Sequence, residues 1–192
     1  MIFTEPLLTR YKGYKIDLAY DVVLKMYDAL SDKDLSDQDK VSTAIDLLVR
    51  GKKPHTVQKQ VELWQGIYEQ FLKPKPIKGK SQPPSFDFEQ DADYIYAAFM
   101  QTYGIDLINE RGRLDWRRFI SLFQGLPEDT KIREIMDIRS KKLPAPTKYN
   151  QEERRSLIEA KRAFALDKST PENFQQGLAD LYYVLKSRVK GG

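Results

Sequence analysis

Among the 192 residues there is one histidine, His55, set between Pro54 and Thr56 just ahead of a helical pattern. A lone imidazole can act as a base or a metal ligand, but catalysis needs a positioned partner and zinc needs three or four ligands. The chain has no second histidine and no cysteine to complete a usual set, so a capping or surface role is expected for His55. The densest acidic cluster is Glu89, Asp91 and Asp93. Asp91-Ala92-Asp93 runs on into Tyr94-Ile95-Tyr96 and lacks the glycine turn and distal glutamate of a calcium loop. These carboxylates are therefore expected to be solvated in the first turns of a helix, where negative charge offsets the helix dipole.

Positive charge gathers around Trp116 as Arg111, Arg113, Arg117 and Arg118, and two short helical patterns near 115–124 and 128–140 flank Gly125-Leu126-Pro127. That is the outline of a helix-turn-helix. Glu110, Asp115, Glu128, Asp129, Glu134 and Asp137 share the region and would repel phosphates, so a salt-bridged surface around a buried tryptophan is the favoured reading. Neither a G-x-x-x-x-G-K-[ST] nor a G-x-G-x-x-G phosphate loop occurs. The expectation is a protein that is not an enzyme, with catalytic, cofactor and metal residues none.

The charge balance agrees. Lys plus Arg number 32 against 28 Asp plus Glu, and the two signs interleave along almost every segment, as on solvated helix faces and unlike the one-sided face of a duplex binder. Large apolar side chains are too frequent for a disordered chain. No apolar run approaches the roughly 18–20 residues that span a bilayer, and Met1-Ile2-Phe3-Thr4-Glu5-Pro6 lacks the positive flank and apolar stretch of a secretory signal. A cytoplasmic, non-membrane protein is expected, and the lack of cysteine fits a reducing compartment.

The elements that position these residues are helices. Leu7-Leu8-Thr9 and Tyr14 to Leu18 flank Gly13 as a small hairpin. Apolar positions from Leu18 to Leu30 then follow the 3.6 period, with Asp21 four before Lys25. Ser36 is placed to cap a second helix, with Val41, Ala44, Ile45, Leu48 and Val49 on one stripe and Gly51 as its stop. Val57, Val61, Trp64, Tyr68 and Phe71 line a third, beginning near Pro54-His55-Thr56. KPKPIKGKSQPPS, residues 73–85, holds four prolines and four lysines; proline removes backbone donors, and the segment reads as an extended linker.

Beyond it, Phe88, Ala92, Ile95, Phe99 and Tyr103 mark a helix starting near Asp87 and ending at Gly104, and Ile105 to Ile108 reads as a short extended segment turning at Gly112. Asp115 caps a compact helix burying Trp116, Phe119, Ile120 and Phe123. Pro127 opens the next, with Ile132, Ile135 and Met136. Asn150 and Glu153 make a capping-box-like start to a helix through about Leu166. A last helix opens at Thr170-Pro171 and carries Phe174, Leu178, Leu181, Tyr182, Leu185 and Val189. The fold class is mainly α, about eight amphipathic helices with a small N-terminal β-hairpin, organised as 1–72, a linker at 73–85, and 86–192.

FDFEQDADYIYAAFMQTYGIDLI and LDWRRFISLFQGLPEDTKIREIMDIRSKKLPAPTKYNQEER, within residues 86 to 166, resemble the bacteriophage Gp-fifteen protein family of phages and prophages from Gram-positive bacteria. The telling pieces are Asp91 to Tyr96, Tyr103 to Leu107, Leu126 to Thr130, and Ile138-Arg139. Arg117 stands where members often carry a second aromatic residue. The first 72 residues resemble the family only loosely, through IDLAYDVVLKMYDAL.

The resemblance implies a gene among the tail genes and a tail assembly chaperone that binds the tape measure protein. The tail-tube protein is a further partner and self-association is allowed, while nucleic acid is argued against. Location in the host bacterial cytoplasm and absence from the mature virion follow. Alternatives are a structural head-tail or tail-terminator component and a DNA-binding regulator or packaging factor. The surface singled out for the partner is Tyr182, Tyr183 and Val184, which extend the last helix's apolar stripe beyond one face; covering a neighbouring helix is the plainer role for Tyr183 and Val184.

Overall fold

The computed structural model describes residues 10–73 and 85–167. It is mainly helical, with a small antiparallel sheet near the N-terminus. In chain order come β1 (Arg10–Tyr11), β2 (Tyr14–Ile16), α1 (Tyr20–Ser31), α2 (Asp37–Leu48), β3 (Val49–Arg50) and α3 (Val57–Ile67), which runs into a π-helical turn at Tyr68–Leu72. Then follow α4 (Ala92–Tyr103), α5 (Trp116–Gln124), α6 (Lys131–Ser140) and α7 (Gln151–Ala163). The linker, the strand expected at Leu7-Leu8-Thr9 and the helix expected from Thr170 fall mostly or wholly outside the described residues.

The chain forms two compact units whose segments interleave. Of the described residues, the first comprises 10–73 and 108–121, and the second comprises 85–107 and 122–167. This interleaving is a feature that the linear division into 1–72, 73–85 and 86–192 does not contain.

In the first unit, Lys12 and Gly13 both have positive φ, 46° and 84°, the geometry of a tight hairpin turn whose twist suits antiparallel strands. β2 pairs on its other side with β3, Ile16 opposite Val49 and Lys15 opposite Arg50. Val49 was expected to continue the stripe of α2. It instead adopts an extended conformation and ends the helix, because pairing with β2 supplies its backbone partners and a β-branched residue suits a strand. Arg50 secures the junction by donating to Asp17 at 2.6 and 3.0 Å.

Two helix starts follow the caps read from sequence: Ser36 accepts from the Asp39 amide and Asp115 from the Arg117 amide, while α3 starts near the expected place, with Thr56 accepting from the Lys59 amide. Others differ. Pro127 lies in a turn closed by Thr130, whose hydroxyl and amide donate to the Pro127 carbonyl, and α6 begins only at Lys131. Asn150 makes no side-chain cap bond to α7; its side chain accepts from the Thr147 amide and donates to the Ala145 carbonyl, which spends it on the preceding loop. Val57, placed on the inner stripe of α3, is 41% exposed.

The core of the first unit is apolar and rich in rings. Val23, Met26, Val41, Ala44, Ile45, Leu48, Trp64 and Ile67 are fully enclosed. Tyr20 stacks on Phe119 at 4.9 Å, Phe119 on Trp116 at 5.6 Å, and Trp116 leans on Tyr27 at 5.5 Å. Trp116 and Phe119 are thus core residues, while Ile120 is half-buried. The segment before α5 is stitched to the start of α1: the Trp116 amide donates to Leu18, the Tyr20 amide to Leu114, and the Gly112 amide to the Asp21 carboxylate. Burial, with Tyr68 nearby, pushes the Tyr27 hydroxyl far above its ordinary range, so it stays protonated.

One close approach explains a glycine in mid-helix. A Cβ on Gly66 would sit 2.1 Å from the Tyr11 hydroxyl oxygen, and the Tyr11 ring meets Phe71 edge-on at 6.1 Å. Glycine weakens a helix by roughly 1 kcal/mol relative to alanine; here it makes room for the ring that ties the hairpin to α3.

In the second unit α4 packs against α6 and α6 against α7. Ile95, Ala98, Phe99, Ile132 and Ile135 are buried, and Phe86, Phe88 and Phe123 form a ring cluster with centroids 4.7 to 5.7 Å apart.

Candidate protein-contact surface

His55 is exposed, as are Arg111, Arg113 and Arg118. Arg117 is half-buried; its guanidinium pairs with Asp115 at 3.1 Å and lies over the Phe71 ring at 5.6 Å. Its charge is thereby directed inward. Among the described residues no three His, Cys, Asp or Glu side chains are placed to hold a metal ion. Tyr182, Tyr183 and Val184, the contact residues singled out from sequence, lie outside the described residues.

The acidic cluster divides. Glu89 and Asp93 are exposed, as expected, but Asp91 is only 1% exposed and is a correction to the solvated reading. α4 begins at Ala92 rather than near Asp87, and Asp91 turns inward, where its carboxylate takes the Asp87 amide at 2.9 Å. Arg139 reaches the same carboxylate with both terminal nitrogens, at 2.5 and 2.8 Å. The fork is bidentate, the strongest geometry for this pair. The guanidinium's other bonds go to the Phe164 carbonyl at 2.5 Å and the Ser85 carbonyl at 3.1 Å. Arg139, in the last turn of α6, is thus the hub that joins the start of α4, the end of α6 and the end of α7. A sequence signal was present: Asp91, Ile95 and Phe99 are spaced four apart, a row that shares one helix face, whereas Ala92, assigned to the inner stripe, is exposed.

With Asp91 inward, the outer face of α4 is nearly uncharged. Its exposed residues are Ala92, Asp93, Tyr94, Ala97, Met100 and Gln101, of which only Asp93 carries charge. α7 shows the contrast: Glu152, Glu153, Arg155, Glu159 and Arg162 occupy most of its exposed positions. Tyr94, Ala97 and Met100 are three apart and form one ridge, with Tyr94 37% and Met100 41% exposed. Tyrosine and methionine are residue types enriched at protein interfaces, where charge is depleted. Tyr149, 93% exposed, projects from the loop between α6 and α7, which is held by Asn150 and by Arg154 donating to the Pro144 carbonyl.

The family model described as Bacteriophage Gp15 protein matches residues 3–166. The chain belongs to this family. No curated protein and no solved structure matches it. The Gp15 match runs through the N-terminal helices as well as the 86–166 stretch from which the resemblance was read, and it stops just past the end of α7.

The four telling pieces of the Gp15 resemblance occupy joints of the second unit. Asp91 and Arg139 are the buried pair. The Tyr103 hydroxyl donates to the Leu122 carbonyl at 2.9 Å, and Gly104 ends α4. Leu126 and Thr130 are buried in the turn before α6. These residues hold packing contacts and turns of the second unit.

Proposed function

We propose that this Gp15-family protein is a non-catalytic tail assembly chaperone that binds the tape measure protein during phage tail morphogenesis in the host cytoplasm. Membership of a phage protein family supports the setting. The observation that carries the binding reading is the uncharged ridge of Tyr94, Ala97 and Met100 on α4, in a chain of which 31% is charged. A ridge with this spacing can lie in the groove of an amphipathic target helix, and such targets are abundant in a long helical protein kept soluble by its binders. Among the described residues no helix is long and apolar enough to cross a membrane.

Affinity purification of the chain from cells co-expressing the tape measure protein tests the proposal. The two should co-purify, and because apolar burial dominates, the complex should persist at moderate salt where a phosphate-directed complex would dissociate. Recovery of nucleic acid without the tape measure protein, lost as salt rises, would select the DNA-binding alternative. Incorporation of the chain into finished particles would select the structural one.

A further inference from the structure

α7 differs from the other described helices in that none of its residues is buried. Leu157, Ile158 and Ala160 are only half-covered. Among the described residues, and apart from the bond from Arg154 to the Pro144 carbonyl at its start, the polar bonds that tie it to neighbouring elements collect at its last turn. The Phe164 carbonyl accepts from Arg139, the Lys161 ammonium donates to the Arg139 carbonyl at 2.7 Å, and the Lys131 ammonium lies 5.2 Å over the Phe164 ring. Gln90 grips the chain just beyond, donating to the Ala165 carbonyl and accepting from the Asp167 amide, both at 2.9 Å.

We infer that α7 is a strap latched at its C-terminal turn by Arg139, Lys161 and Gln90, which opens while α4 and α6 remain folded. Resistance to local opening follows buried apolar contact, which α7 lacks and which α4 and α6 have through Phe99, Ile132 and Ile135. Opening removes one acceptor from Arg139 but leaves its pair with Asp91 in place, so the rest of the unit keeps its charge balance. It also uncovers Leu157, Ile158 and Phe164, giving the unit an apolar helix face that the latched state half conceals. This device is independent of the partner's identity.

Amide hydrogen exchange on the full chain tests it. Residues 151–163 should exchange at least about tenfold faster than the protected amides of α4 and α6. The double variant Gln90→Ala, Lys161→Ala removes three latch bonds without stranding a buried charge. It should speed exchange in α7 by a further factor of at least about ten and leave α4 and α6 unchanged. Equal protection of α7, α4 and α6, acceleration of all three together in the variant, or no acceleration of α7 would each overturn the inference.

Discussion

Replacing Arg139 by methionine removes two bonds to a carboxylate that is 1% exposed and leaves the Asp87 amide as its remaining partner from this cluster. An uncompensated buried charge costs about 3–5 kcal/mol, and the Ser85 and Phe164 carbonyls lose a donor as well, so Arg139→Met should destabilise by about 4 kcal/mol or more. Asp91→Asn leaves the guanidinium with its two carbonyls and one amide oxygen and should cost about 3 kcal/mol. The double variant strands no charge. It should cost only about 3–4 kcal/mol rather than the sum, a coupling near 3 kcal/mol. Urea unfolding followed by far-ultraviolet circular dichroism measures this. Both tryptophans, Trp64 and Trp116, lie in the first unit, so fluorescence reports that unit separately. Additive single costs, or Arg139→Met costing under about 1 kcal/mol, would refute the account of a dry bidentate hub, since exposed pairs give values of that size.

Gly66→Ala should destabilise despite alanine's higher helix propensity, because the new methyl meets the Tyr11 ring; thermal melting would show a lowered midpoint, and a raised one would remove the close approach from the argument. Phe119→Ala should cost about 3–5 kcal/mol by emptying a site 1% exposed; unchanged stability in urea unfolding with partner binding lost would make it a contact residue instead. Ala97→Glu and Met100→Glu should change stability by less than about 1 kcal/mol, since both positions are exposed, while reducing recovery of the tape measure protein in co-purification. Undiminished recovery would move the contact surface away from α4.

The helices were legible because their signals are local. The 3.6-residue stripes place α1 through α7, and Ser36 and Asp115 mark starts whose cap bonds the structure forms. What escaped depends on residues distant in sequence. Val49 leaves α2 because Ile16 waits across the sheet. Asp91 turns inward because Arg139, 48 positions later, meets it there. Asn150 fits a helix cap by type, but the loop at Ala145 and Thr147 competes for its amide. Of the candidate surface, the sequence-based reading singled out Tyr182, Tyr183 and Val184; the α4 ridge was hidden because Tyr94 and Met100 flank the buried stripe and only burial separates the faces.

The claim that the chain acts by binding the tape measure protein is tested most directly by measuring that protein's soluble fraction in cells with and without this chain. The account predicts a mostly soluble tape measure protein in complex with the chain, and a mostly insoluble one without it. Equal solubility in both cases, with the chain present stoichiometrically in purified virions, would contradict the account.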